Sequence, residues 1–386
     1  MKKKRFIKLF LITVFALILS ISFTTISFAE DTVTNDITSS VENELEDFKN
    51  SLPDEVLQYL PGELFEGDFS SLTNGSNAEK TFVNIILNYL FAGIDDVIKS
   101  FVAILCVLII ASLFNILQKS FSSDAIKNTF SMFSSLCVSL TVFNVCLTLC
   151  RGAVYYMQLL CRVMNAFIPV MTTMYILNGS ISTAAASNVS MLIFISVTEG
   201  ILLAALLPLV KVCMCFSLVG SVNESFNLSG ISKVIKNTFT SVIVFVMSIF
   251  SFVFSYKNII SQSSDSLSLR TAKFAVSSFI PIVGSSVSDA LKTVSSSLSF
   301  VKSSCGVIAV IVIALIVLPV IISLILNRVS FGICSGIASV IGCERESKML
   351  DEASSICGFI LALTVCTALL FIFAITLFIK SSAEVR

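Results

Sequence analysis

From residue 79 to residue 379 long apolar runs alternate with short polar breaks, and run lengths and spacing predict helices throughout. Over 79–100, Phe82, Ile85, Ile86, Tyr89 and Leu90 share one helical face, the pattern of a helix lying along a membrane surface. Six further runs, 101–118, 130–150, 191–219, 238–256, 304–326 and 356–379, come near or above the ~20 residues needed to cross a bilayer. Two weaker segments, 163–178 and 274–300, contain Pro169 and Pro281. Six firm spans and two uncertain ones follow, in an all-α polytopic membrane bundle.

The two weaker segments look alike. Ala166-Phe167-Ile168-Pro169-Val170 answers Ser278-Phe279-Ile280-Pro281-Ile282, and each precedes an apolar span with its own proline, Pro208 or Pro319. Ile126-Lys127-Asn128-Thr129-Phe130 recurs unchanged as Ile235-Lys236-Asn237-Thr238-Phe239, so equivalent positions lie 109 to 112 residues apart. Duplication of a hairpin plus Pro-broken segment explains this register, with a third, eroded hairpin over 304–379. If each Phe-Ile-Pro segment crosses the membrane, successive units are inverted, as in many transporters. If it dips in and returns, they are parallel. In either case broken backbone at membrane depth has to be covered by protein or a wet cavity.

Charge does not decide between the two. With dipping segments, the inside loops hold Lys119, Lys127, Lys233, Lys236, Arg328, Arg345 and Lys348. With crossing segments, Lys233 and Lys236 move outside while Lys257, Arg270 and Lys273 move inside. Neither set has the bias that orients a protein.

The N-terminus differs from this pattern. A basic start (Lys2 to Arg5, Lys8), an apolar stretch and Ser27-Phe28-Ala29 predict a signal peptide over 1–29, with cleavage expected after Ala29 and an uncleaved anchor as the alternative. Residues 30–80 hold thirteen Asp or Glu against two Lys, too polar for a core of their own. Residues 30–100 are thus expected to form an acidic extracytoplasmic region ending in the interfacial helix, ahead of a membrane domain over 101–380.

Composition narrows the chemistry. Of 386 residues 55% are hydrophobic and 13% charged, half the charge of a soluble protein. Net charge is zero, which gives no reason to expect a nucleic-acid partner. There is no His, which rules out Ser–His, Cys–His and HExxH arrangements, and no nucleotide loop or metal cluster is evident, so neither an enzyme nor a cofactor is expected. Most of the twelve Cys, none before residue 106, lie in apolar runs and are expected to pack as small hydrophobes. Glu199 falls within an apolar span, where an ionisable group usually faces a cavity or a partner.

Residues 269–294, LRTAKFAVSSFIPIVGSSVSDALKTV, are neither apolar enough to span cleanly nor polar enough for a loop. Arg270 and Lys273 share a helical face, Pro281 and Gly284 predict a break, and Asp289 follows among serines that permit close helix contact. This segment is expected to be an interfacial hairpin or a re-entrant element that lines a passage or grips a partner.

The combination LRTAKF…FIPIVG…SDA…TV, followed by Lys302 and a long apolar span, resembles the signature region of the stage III sporulation protein AE family. The signal, acidic leader, Phe-Ile-Pro repeat and length are also similar to that family. The resemblance implies a multi-pass protein of the mother-cell membrane facing the forespore. Its implied partners are the other subunits of the stage III sporulation A complex, an ATPase and ring-forming proteins. In that setting the chain is a non-enzymatic channel or export component required for endospore formation. An autonomous secondary transporter and an assembly scaffold remain alternatives, and homo-oligomerisation stays open.

Overall fold

The computed structural model describes residues 46, 49–50, 75–118, 123–177, 180–222, 229–279 and 284–380. Within these, backbone alone is described for 75–93, 201–204 and 268–304, among others. The signal segment, nearly all of the acidic leader and Pro281 lie outside the described residues.

From residue 75 on, the described residues form seven α-helices in order: α1 Gly75–Gln118, α2 Asp124–Leu177, α3 Ile181–Val197, α4 Ala204–Val222, α5 Ser229–Phe279, α6 Gly284–Val340 and α7 Glu344–Lys380. A π-helical turn, Thr198–Leu203, joins α3 to α4 without interruption. No strand occurs among the described residues. Among the described residues six stretches are long and apolar enough to cross a membrane: Ile94–Gln118, Ile126–Leu177, Ile181–Ser217, Gly230–Lys257, Ile308–Val340 and Glu344–Ile379. The chain is a multi-pass membrane protein.

Two boundaries differ from those drawn on the sequence. The surface helix expected over 79–100 and the span 101–118 form one 44-residue helix. The span 130–150 and the segment 163–178 are likewise one 54-residue helix, α2, with Pro169 inside it. Leu177 ends that helix, and Ser180 N–H closes onto Tyr175 O. Helix α5 is described to Phe279 and α6 from Gly284, and the break expected at Pro281 lies outside the described residues.

Contacts fix the helix directions. Lys236 near the start of α5 meets Glu352 near the start of α7, and Ser139 in the first half of α2 meets Met349 of α7. At the other end Phe167 and Tyr175 of α2 both pack edge-on against Phe378 of α7. Helices α2, α5 and α7 therefore run in parallel. Helix α1 arrives at the starting end of α7, where Asn115 meets Cys343, and α6 arrives there through the α6–α7 turn. Helix α3 starts at the far end, Asn188 against Thr172, so α3–α4 returns. Both Ile-Lys-Asn-Thr-Phe copies thus lie near the start of parallel helices at one end, with two passes between them.

The core runs the length of α2 and α7. Val138, Val142, Cys146, Cys150, Ala153, Met157, Leu160, Met164, Phe167, Met171 and Met174 are buried at three- and four-residue intervals. They pack with Ile356, Ile360, Leu363, Phe371, Ile375 and Phe378 of α7. Among the described residues the α6–α7 hairpin is the most extensive packing. It turns on Gly342, whose φ of +79° is the left-handed conformation that a Cβ disfavours. Cys343 N–H reaches Ala338 O and Gly342 N–H reaches Ser339 O, which satisfies the last carbonyls of α6. Eight cysteines are buried and all twelve are free thiols, so most pack as expected.

Candidate functional site

In lipid an apolar helix face gains little from leaving acyl chains for protein, so close packing and polar contacts between helices set the arrangement. Those contacts concentrate where α7 begins. The first turns of α7, ERESKMLDEASS, carry its charges, and from Ala353 to Ile379 no charge follows.

At the centre Lys236 of α5 donates to Glu352 Oε1 at 2.6 Å and to Ser355 Oγ at 3.0 Å. Ser232 Oγ donates to the same carboxylate oxygen. The Lys236 and Glu352 side chains are 6% and 13% exposed, so the pair is largely withdrawn from solvent. Such a pair tolerates burial because opposite charge and extra hydroxyls replace lost hydration.

A second set of contacts ties α7 to α1, α2 and α6. Arg345 Nη1 donates to Ser131 Oγ at 3.0 Å, and Ser139 Oγ to Met349 Sδ at 2.9 Å. Ser335 Oγ donates to Ser347 O at 3.1 Å, and Ser347 Oγ to Ser335 O at 3.0 Å. Asn115 Nδ2 donates to Cys343 Sγ at 3.2 Å. Burial pushes the Cys343 thiol up, and the Asn115 hydrogen bond offsets part of that by favouring the thiolate. Ser354 Oγ donates to Arg328 O at 3.3 Å, while the Arg328 guanidinium lies over Gly358, where a Cβ would come within 2.7 Å of Nη1. Together these contacts form a polar clamp around the start of α7.

Both repeated lysines serve this end of the molecule. Lys236 holds Glu352, and Lys127 lines a surface depression with Gln118, Asn128, Ser131 and Arg345. The sequence placed Lys236 among loop charges. The signal that could have found the clamp is the pentapeptide itself, a lysine kept twice in one helical frame.

The residues singled out on the sequence are distributed as follows. Phe167 is buried against Phe378, while Pro169 beside it is exposed inside α2. Pro208 is exposed in α4 and Pro319 half-buried in α6. Glu199 is exposed in the π turn, ahead of Pro208; wide turns of this kind recur at functional sites. Thr198 Oγ1 donates back to Phe194 O at 2.9 Å where the turn begins. Arg270, Lys273 and Phe279 lie in the last turns of α5, and Gly284 and Asp289 open α6, with helical backbone alone described. Among the described residues no group of three His, Cys, Asp or Glu could hold a metal ion.

The fold and the clamp define a multi-pass α-helical membrane protein whose helices are tied together by buried polar contacts. Comparison gives the particular family: the chain belongs to the stage III sporulation protein AE family, whose model matches residues 67–382. Stage III sporulation protein AE of Bacillus subtilis (strain 168) is 24% identical over 337 residues, covering 85% of this chain and 83% of its own length. No solved structure matches.

Proposed function

We propose that this sporulation membrane protein is a non-enzymatic core component of the channel or export complex between mother cell and forespore. In this reading it sits in the mother-cell membrane that faces the forespore, alongside an ATPase and ring-forming subunits. The observation that carries the reading is that Glu199 and Lys211 are exposed on the bundle surface within the apolar helix pair 181–217. Charges at that depth need a partner or water that the single chain does not supply, so the chain belongs in an assembly.

The autonomous transporter drew its support from inverted, broken helices. It is weakened by Pro169 lying within continuous α2 and by the two pentapeptide copies opening parallel helices.

The test is deletion with complementation, read by a late forespore reporter, by heat-resistant spores and by co-purification of neighbours from mother-cell membranes. The reading expects loss of reporter and spores on deletion, and neighbours retained by the complementing chain. Normal spores from the deletion strain overturn it. Solute flux through the purified chain alone in liposomes selects the transporter instead.

A further inference from the structure

Helix α2 has a second face, opposite its buried one. From 141 to 168 the exposed residues are Asn144, Thr148, Arg151, Tyr155, Gln158, Arg162 and Asn165, six polar side chains and one tyrosine. Their spacing alternates four and three without a miss, a 3.5-residue period that keeps one straight face along a helix. Before this stretch α2 exposes Met132, Phe133 and Leu140, and after it Pro169, which keeps the spacing, then Ile176 and Leu177. By contrast α5 exposes Val244, Phe245, Ile249 and Phe252, and α3–α4 exposes only the separate charges Glu199 and Lys211 within its apolar stretch.

The depth of this stripe follows from the partners of α2. Ser139 is level with Met349 and Phe167 with Phe378, so residues 144–165 run beside the part of α7 that carries no charge between Ala353 and Ile379. At 1.5 Å per residue the stripe is about 32 Å long. A bilayer's hydrocarbon core is about 30 Å thick.

Two arginines, a glutamine and two asparagines cannot rest against acyl chains along that whole length. Neither Arg151 nor Arg162 has an ion pair among the described residues. Two such stripes pressed together would set arginine against arginine. Water between them removes that conflict, and like-signed walls then attract the opposite ion.

We propose that the α2 stripe is one wall of a water-filled, anion-preferring passage enclosed by further copies of this chain. The passage deepens the channel reading and rests on it. Arg151 and Arg162 supply the sign, and Asn144, Thr148, Gln158 and Asn165 hydrate the wall between and beyond them. The permeant class is a small anion or an anionic solute.

Thiol accessibility tests this in the full-length chain, in membranes from sporulating cells that also hold its natural neighbours. In a background without the exposed Cys106 and Cys215, Thr148→Cys, Arg151→Cys, Gln158→Cys and Asn165→Cys probe the stripe. Val244→Cys, Ile249→Cys and Phe252→Cys are the lipid-facing controls. All these positions are exposed, and Gln158→Cys removes no charge.

The stripe positions are expected to react with an anionic methanethiosulfonate about tenfold or more faster than the controls, and faster than with its cationic analogue. A bifunctional thiol reagent at Gln158→Cys is expected to join two copies of the chain. Stripe positions as inert to water-borne reagents as the controls overturn the passage. So does labelling with no preference for the anion, or Gln158→Cys joining no second copy. Any of these, with spores still lost on deletion, refutes the passage alone, whereas normal spores from the deletion strain refute the channel reading beneath it.

Discussion

Replacing Lys236 by Met tests the clamp most directly. The substitution keeps much of the side chain's length but removes its charge, leaving the Glu352 carboxylate with Ser232 Oγ as its remaining donor in a site 13% exposed. Breaking one partner of a buried ion pair costs about 3–5 kcal/mol, because a charge stays behind without compensation. Replacing both partners by apolar groups of similar volume is often near neutral. The expected order of stability is therefore wild type close to Lys236→Met/Glu352→Leu, with each single variant well below.

The eight buried cysteines provide the assay, since a dye that fluoresces on reaction with thiols reports their exposure as the protein unfolds in detergent micelles. A kcal/mol moves the midpoint by about 2–4 °C for chains of 150–250 residues and by less for one of 386, so the single variants should melt on the order of 5–10 °C lower. Adding Glu352→Leu to Lys236→Met should restore most of that loss. Two results would refute the reasoning: Lys236→Met melting with the wild type, or the double variant falling by the sum of the singles. Either would mean that the two side chains are not energetically coupled.

Three further outcomes are expected. Gly358→Ala places a Cβ within 2.7 Å of Arg328 Nη1, the far end of a flexible side chain that can swing aside, and should cost about 1 kcal/mol at most, with Arg328→Ser in the same chain recovering part of the melting temperature. Gly342→Ala forces a side chain into a backbone with φ of +79° and should lower stability by about 1 kcal/mol; Gly342→Asn, which tolerates that conformation better, should lower it less. Gly306→Leu drives a side chain into Ile379 and Ile375 across the α6–α7 interface, and its loss of melting temperature should be partly reversed by Ile379→Ala.

Much of the fold could be read from the sequence because hydropathy over about 20 residues is a strong signal. The six firm spans each fall largely inside one of the apolar stretches of the structure. The break expected near Pro281 and Gly284, where two helix-disturbing residues fall within four positions, lies outside the described residues. The continuity of α2 is not legible in hydropathy. Arg151 and Arg162 lower the hydropathy between two apolar runs, so a linear scan ends a helix where the chain in fact keeps turning. Periodicity counted across that gap would have recovered it, since the polar residues fall on one side only. The clamp was hidden for a different reason: Lys236 and Glu352 are 116 residues apart, and nothing local pairs them. Of the signature residues, Arg270 and Asp289 were placed by pattern and by family likeness, and the structure adds the helices that carry them.

Helix α5 continues unbroken for 51 residues, from Ser229 to Phe279. Lys236 fixes it near one tip, while Arg270 rides about 50 Å further along the rod. A tilt of about 5° of a straight rod around that pivot sweeps Arg270 through about 4 Å. Motion imposed on the motif-bearing tip thus has a mechanical route to the opposite side of the protein, with the lysine–glutamate pair as its fulcrum.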